Sequence, residues 1–211
     1  PLRFIDPDGL ILFAFDGTGN SDDRNDPAMG GDGFTNVVHF RDAYLDGNRN
    51  YVSGVGTVHR DDKHGHIRPE DYATHTLLWW LTPGDPVYVN DMGGNYSGPA
   101  RIDRMMLYIR DEAAAFDKNK VMDIDIVGFS RGAAQARDFA NRIVAGSVVL
   151  NGKTYYKYTT EDGKPGCQWV NFRFMGLFDT VLSTNFSGTG YNLGIPGEFA
   201  YVAQAVALNE H

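Results

Sequence analysis

The chain has 211 residues, enough for one domain with a substantial core, and its 42% hydrophobic and 22% charged residues are ordinary for a globular protein. A formal net charge of −8 argues against a nucleic-acid partner, which favours a basic surface, and against simple electrostatic adhesion to anionic lipid. One cysteine excludes an internal disulfide framework, no apolar run is long enough to span a bilayer, and no signal peptide is visible.

The first half of the chain predicts a strand, a helix and a second strand. The apolar run LILFAF at 10–15 is typical of a buried strand, and it ends at the turn-rich sequence DGTGN. An apolar stripe predicts a helix at 34–45, and a short strand is predicted at 51–55. Residues 57–99 show no clear periodicity apart from a short helix at 71–81, so we expect long loop insertions there.

The second half of the chain alternates between helical and strand patterns. The predicted elements are a helix at 101–118, a strand at 121–129, a helix at 132–145, a hairpin at 147–158, a strand at 169–178 and a helix at 198–210. Asn151-Gly152 is the turn signal of the hairpin. The alternation predicts an α/β fold with a mainly parallel sheet flanked by helices.

Three polar residues follow predicted strands. Asp16, Ser130 and Asp179 each come just after a strand end. In open α/β sheets the ligand site lies outside the carboxyl ends of the strands. We therefore expect the three residues to gather at one edge of the sheet.

The sequence Gly128-Phe129-Ser130-Arg131-Gly132 matches the G-x-S-x-G pattern of a nucleophilic serine. A sharp strand-to-helix turn exposes such a serine, and the glycines allow neighbouring segments to approach closely. The N–H groups at the helix start, including that of Arg131, would stabilise an oxyanion. The alternative is a serine that only caps a helix.

A serine nucleophile needs an acid and a base, which follow it in this fold in the order acid, then His. Asp179 has the position expected of the acid, and the N–H of Gly17 or Thr18 would supply a second oxyanion donor. Only His211, the last residue, follows Asp179. We therefore expect the base to lie beyond residue 211 or to be recruited out of order.

Five motifs in one order, FAFDGTGN, SGVGT, IVGFSRGAAQAR, GLFDTV and AVALNE, resemble a family of bacterial α/β hydrolases that includes phospholipase effectors of type VI secretion systems. The resemblance implies an α/β-hydrolase domain with Ser130 as nucleophile and Asp179 as triad acid. Family members carry the histidine in a later GVHSD-like motif, which implies a C-terminally incomplete domain. They often have another histidine where this chain has Gln204.

The segment PLRFIDPDGL resembles the motif that closes the shell of RHS-repeat proteins before their C-terminal toxins. The resemblance implies that Asp6 and Asp8 belong to an autoprocessing motif and that the chain is cut after Leu10. Residues 1–10 would then end the shell, and 11–211 would be the toxin. The alternative is a strand followed by a Pro-Asp-Gly turn.

Together the resemblances imply a toxin that is made in the cytoplasm, secreted and delivered to the envelope of a target bacterium. It would hydrolyse membrane glycerophospholipids without a cofactor or metal, and a cognate immunity protein would block it. The alternatives are a hydrolase of another ester or amide, such as peptidoglycan, and a non-catalytic cargo or binding module. The histidine-rich sequence HRDDKHGH at 59–66 is expected to be a solvated loop rather than a metal site.

Overall fold

The structure is a computed structural model that describes residues 9–23, 33–73, 85–181 and 190–207. The elements in chain order are β1 (Leu10–Phe15), α1 (Asn36–Ala43), β2 (Gly47–Val52), a 3-10 helix (Pro69–Asp71), α2 (Pro86–Gly94), α3 (Gly98–Ala115), β3 (Met122–Phe129), α4 (Arg131–Ala145), β4 (Ser147–Leu150), β5 (Lys153–Thr159), β6 (Pro165–Phe178) and β7 (Tyr201–Ala205).

All of these strands join one mostly parallel, seven-stranded sheet. The order is β2-β1-β3-β6-β5-β4, and β7 also pairs with β6. The first half of β6 pairs with β5 in antiparallel fashion, and its second half pairs with β7 in parallel fashion. The carboxyl ends of β1, β3, β6 and β7 therefore lie at the same edge of the sheet, as expected of an α/β fold.

Different helices cover the two faces of the sheet, because side chains of a strand alternate between its faces. On one face, Phe13 and Phe15 pack on Phe139 of α4, with ring centroids 5.1 and 5.4 Å apart. On the other face, Leu12 packs in a smaller cluster with Val37 of α1. The side chains of β1 are thus buried on both faces of the sheet, as helices on both sides require.

Most of the predicted elements are confirmed with ends shifted by a few residues. The helix predicted at 132–145 is α4, and the strand predicted at 121–129 is β3. The hairpin turns at Asn151 and Gly152, whose φ values are 52° and 74°, the positive pair that a two-residue hairpin turn favours. The second strand lies at 47–52 rather than 51–55, because its pairing with β1 begins at Gly47.

One helix was predicted wrongly, and another was not predicted. The helix predicted at 198–210 is wrong: residues 201–205 form β7, because the open edge of β6 offers them a parallel ladder. The sequence did not predict α2, whose N-cap Asp85 accepts a hydrogen bond from Val87 N–H at 3.0 Å. Most of the helix predicted at 71–81 lies outside the described residues. None of the helices at the described positions has the length and apolar character that crossing a membrane requires.

Candidate active site

Ser130 forms the turn between β3 and α4. Its φ of 54° and ψ of −123° lie in a backbone region that residues other than glycine rarely adopt. Two backbone hydrogen bonds fix this conformation, because Ser130 N–H donates to Phe178 O at 2.9 Å and Ser130 O accepts from Val181 N–H at 3.2 Å. The end of β6 therefore holds the serine in a strained conformation.

The glycines on either side of Ser130 lie where a side chain would collide with backbone atoms. A Cβ atom on Gly132 would lie 2.3 Å from Asp16 O and 2.5 Å from Phe15 O. A Cβ atom on Gly128 would lie 2.7 Å from Ala133 Cα. Only glycine lets α4 begin this close to the ends of β1 and β3.

Asp179 directly follows β6, with a φ of 41°. Its N–H donates to Ala205 O at 2.8 Å, and its carboxylate Oδ1 accepts a hydrogen bond from Ala207 N–H. The end of β7 thus positions the carboxylate. Since Phe178, the preceding residue, bonds to Ser130, the structure brings the predicted nucleophile and acid to adjoining turns at one edge of the sheet.

Three of the four described histidines, His59, His64 and His66, have side-chain partners elsewhere. His59 Nε2 is 3.0 Å from the Tyr108 hydroxyl, and His64 Nε2 is 2.9 Å from Asp111 Oδ2. None of these imidazoles, nor that of His39, is hydrogen-bonded to Ser130 or Asp179 among the described residues. His211 lies outside the described residues, and the catalytic base stays a prediction.

The DGTGN loop, residues 16–20, follows β1 and lies against the serine turn. A Cβ atom on Gly17 would lie 2.5 Å from Phe129 Cδ1, so the loop touches the residue before Ser130. The Gly17 N–H donates to Asp16 Oδ1 at 2.8 Å, whereas no described residue accepts from Thr18 N–H. The Thr18 hydroxyl is also buried without a hydrogen-bond partner. Of the two predicted oxyanion donors, the N–H of Thr18 is therefore the one without an acceptor among the described residues.

Asp16 is a site residue whose role the sequence did not show. It is 1% exposed, and its carboxylate accepts hydrogen bonds from Tyr51 at 2.7 Å, Thr35 at 2.8 Å and Gly17. Burial raises the pKa of the Asp16 carboxyl, and the hydrogen bonds partly offset this effect. Asp16 thus ties the DGTGN loop to β2 and to the start of α1.

Arg131 is the first residue of α4, where backbone N–H groups lack partners within the helix. Its guanidinium donates through Nη1 to Met92 O near the end of α2. Burial lowers the pKa of this guanidinium. The third predicted oxyanion residue therefore packs against α2, while its backbone stays beside Ser130.

Five of the eight residues of the histidine-rich loop are exposed, as expected of a solvated loop, but side chains at its start contact α3. His59 is 5% exposed, and Tyr108 of α3 donates a hydrogen bond to Asp61 Oδ2 at 2.7 Å. Arg104 forms an ion pair with the same Asp61 oxygen at 2.9 Å. This hydrogen bond and this ion pair anchor the start of the loop to α3.

We expect acid to destabilise the fold through His59. Burial first, and then Arg101 and Arg104, lower the pKa of its imidazole to about 3, below the unfolded value of about 6.5. The stabilising contribution of the neutral ring is therefore complete above pH 6.5 and is lost as the pH falls towards 3. Each pH unit in that window costs up to about 1.4 kcal/mol. Urea unfolding between pH 7 and 4.5 should show a shallower decline for His59→Gln than for wild type; parallel declines would contradict this origin.

His64, Asp111 and Glu161 each offer a ligand atom within 4.8 Å of the others. Their carboxylates already have cationic partners, since Arg110 bridges Asp111 and Glu161 at 2.8 and 2.9 Å and Lys63 also bonds to Asp111. A metal ion would have to displace these cations. The cluster is therefore best described as an ion-pair network.

Comparisons with known proteins give little beyond this geometry. No protein-family model matches the chain, and no curated protein matches it. A solved structure, described as "Crystal structure of an uncharacterized protein from Pseudomonas aeruginosa", is similar, with 20% identity and a TM-score of 0.43. The match covers 81% of this chain and 29% of that one, so the chain spans less than a third of its length.

Proposed function

We propose that this chain is an α/β-hydrolase domain that cleaves acyl esters with Ser130 as its nucleophile. The strained backbone of Ser130 is the observation that supports this most strongly. A serine that merely caps a helix has extended backbone and accepts a hydrogen bond from the first turn, but Ser130 has positive φ and makes no capping bond. Strain of this kind costs about 1–3 kcal/mol and clusters at functional sites.

In the proposed reaction, Ser130 Oγ attacks the acyl carbonyl as a histidine takes its proton. Asp179 orients that histidine, which we place outside the described residues. The N–H groups of Thr18 and Arg131 stabilise the oxyanion. Collapse of the tetrahedral intermediate releases the alcohol, which takes the proton from histidine, and water then hydrolyses the acyl-enzyme to the free acid.

We propose membrane glycerophospholipids as the substrates. The support is the resemblance of five sequence motifs to a hydrolase family that includes phospholipase effectors. Fatty-acid release from phospholipid vesicles by the full-length protein, beside Ser130→Ala, tests this. A parallel panel of peptidoglycan and small esters tests the alternative substrates; turnover of those alone would remove the lipid assignment.

The N-terminal resemblance supports a delivered toxin that an immunity protein blocks. Asp6 and Asp8 lie outside the described residues. Leu10 is the first residue of β1 and pairs with Gly47 and Asp123, so cleavage after Leu10 would cut at the start of this strand. Mass spectrometry of the processed protein would show whether its new N-terminus is Ile11.

The non-catalytic alternative rests on the unidentified base and on Gln204. A serine-directed fluorophosphonate probe separates the two proposals. An activated Ser130 should label quickly, whereas a serine without a base should label negligibly. Labelling that maps to another serine would also contradict the proposed nucleophile.

A further inference from the structure

Arg137 lies on α4 two turns after Ser130. Residues seven apart on a helix share nearly the same face, about 10 Å apart along the axis, and side chains lean towards the helix N-terminus. The Arg137 side chain therefore leans towards the serine. Its Nη2 is 3.4 Å from Thr180 Oγ1 and 3.3 Å from Gln204 Oε1. Thr180 follows Asp179 in the chain, so the guanidinium contacts the residue next to the predicted acid.

This guanidinium has no negatively charged partner among the described residues. Its contacts are the neutral oxygens of Thr180, Gln204 and Leu193, the last at 3.2 Å, and its Nε is buried without a hydrogen-bond partner. Burial lowers the pKa of Arg137, and no acidic group offsets the effect. A partly buried cation that only neutral groups surround is costly unless an anion completes its surroundings.

Arg142, on the same helix, has carboxylate partners that balance its charge. Its guanidinium pairs with Asp138 at 2.8 Å and with Asp103 at 3.0 Å. The two arginines thus share a helix but not an electrostatic environment. Arg137 forms no salt bridge within the described part of the chain.

We propose that Arg137, with Thr180 and Gln204, forms an anion subsite that binds the phosphate of the glycerophospholipid substrate. The inference rests on the proposed esterase function, to which it adds the residue that recognises the head group. The guanidinium of Arg137 presents parallel N–H donors whose spacing matches two phosphate oxygens. The hydroxyl of Thr180 and the amide of Gln204 can supply further, neutral donors. In a chain of net charge −8, such a subsite offers an anionic group local attraction that the protein as a whole lacks.

The catalytic test compares two soluble substrates, dihexanoyl-phosphatidylcholine and dihexanoylglycerol, below their aggregation limits. They differ in the phosphate head group. For Arg137→Gln we expect the ratio of kcat/KM on the phospholipid to that on the glyceride to fall about 10–100-fold, as loss of a charge-assisted bond implies. Arg142→Gln is the matched control and should leave the ratio within about twofold, because Arg142 pairs with Asp103 and Asp138 and not with Thr180 or Gln204. An unchanged ratio in Arg137→Gln would overturn the subsite and assign Arg137 to holding the Asp179 loop.

Arg137→Lys covers the case in which the glutamine variant does not fold. Lysine keeps the charge but loses the fork, so its ratio should fall between those of wild type and Arg137→Gln. A lysine ratio equal to that of wild type would by itself exclude recognition of the anion by the guanidinium fork.

A binding test separates this inference from the proposed function. Ser130→Ala should bind dihexanoyl-phosphatidylcholine in calorimetry, and Ser130→Ala/Arg137→Gln at least about tenfold more weakly. If no form hydrolyses an ester but this difference holds, the proposed function fails and the subsite stands. Equal binding by both forms overturns the subsite whatever the catalytic result. Arg137-dependent binding of inorganic phosphate alone, without the phospholipid, would indicate a free-anion site and overturn the lipid assignment.

Discussion

Ser130→Ala should lower ester hydrolysis by about 10⁴–10⁶-fold, because loss of a triad nucleophile removes the covalent route and leaves only the oxyanion donors. The stability of the protein should change little, since the Ser130 side chain makes no capping bond. Fatty-acid release and fluorophosphonate labelling measure the first effect, and urea unfolding measures the second. Ser147→Ala is the control: that hydroxyl donates to Ile143 O at 2.7 Å, at the far end of α4.

Ser130→Gly extends this test to the backbone. Glycine adopts positive φ without a steric penalty, so the glycine variant should be inactive yet more stable than Ser130→Ala by about 1–2 kcal/mol. That combination would show that the backbone at residue 130 is strained and that the serine side chain is needed for activity. Full activity in either variant would exclude Ser130 as nucleophile, and equal stabilities would exclude the strain.

The serine turn was predictable because its signals are local. An apolar run, two glycines and a helical stripe are contiguous at 121–145, and each specifies its own part of the turn. The placement of Asp179 followed in the same way from the end of β6. Both placements follow from the rule that the carboxyl ends of parallel strands lie at one edge of the sheet.

The partners of Asp16 and Arg137 were not predictable, because they come from distant parts of the chain. Asp16 is contacted by Tyr51 of β2 and by Thr35 at the start of α1. Gln204 contacts Arg137 only because β7 pairs with β6. The pattern at 198–210 favoured a helix. The open edge of β6 overrode that local preference, as tertiary pairing often does.

Gly54→Ala should have the largest effect on stability, about 2–4 kcal/mol of destabilisation. A Cβ atom on Gly54 would lie 1.6 Å from Gly17 O, so the loop after β2 and the DGTGN loop cannot both keep their positions. Backbone bonds join the same loops, from Gly54 N–H to Asn20 O at 2.8 Å and from Gly19 N–H to Val55 O at 2.9 Å. Urea unfolding measures the loss, and Gly197→Ala, whose Cβ meets no atom within 4 Å, is the matched control.

The same substitution connects the packing of the loops with the proposed chemistry. If Thr18 supplies an oxyanion donor, pushing Gly17 away must move that donor, and a shift of about 1 Å can cost about 100-fold in rate. Folded Gly54→Ala should therefore label with fluorophosphonate more slowly than Gly197→Ala. A folded variant that labels at the wild-type rate would show that the DGTGN loop is structural, and the oxyanion donors would then have to come from the start of α4 alone.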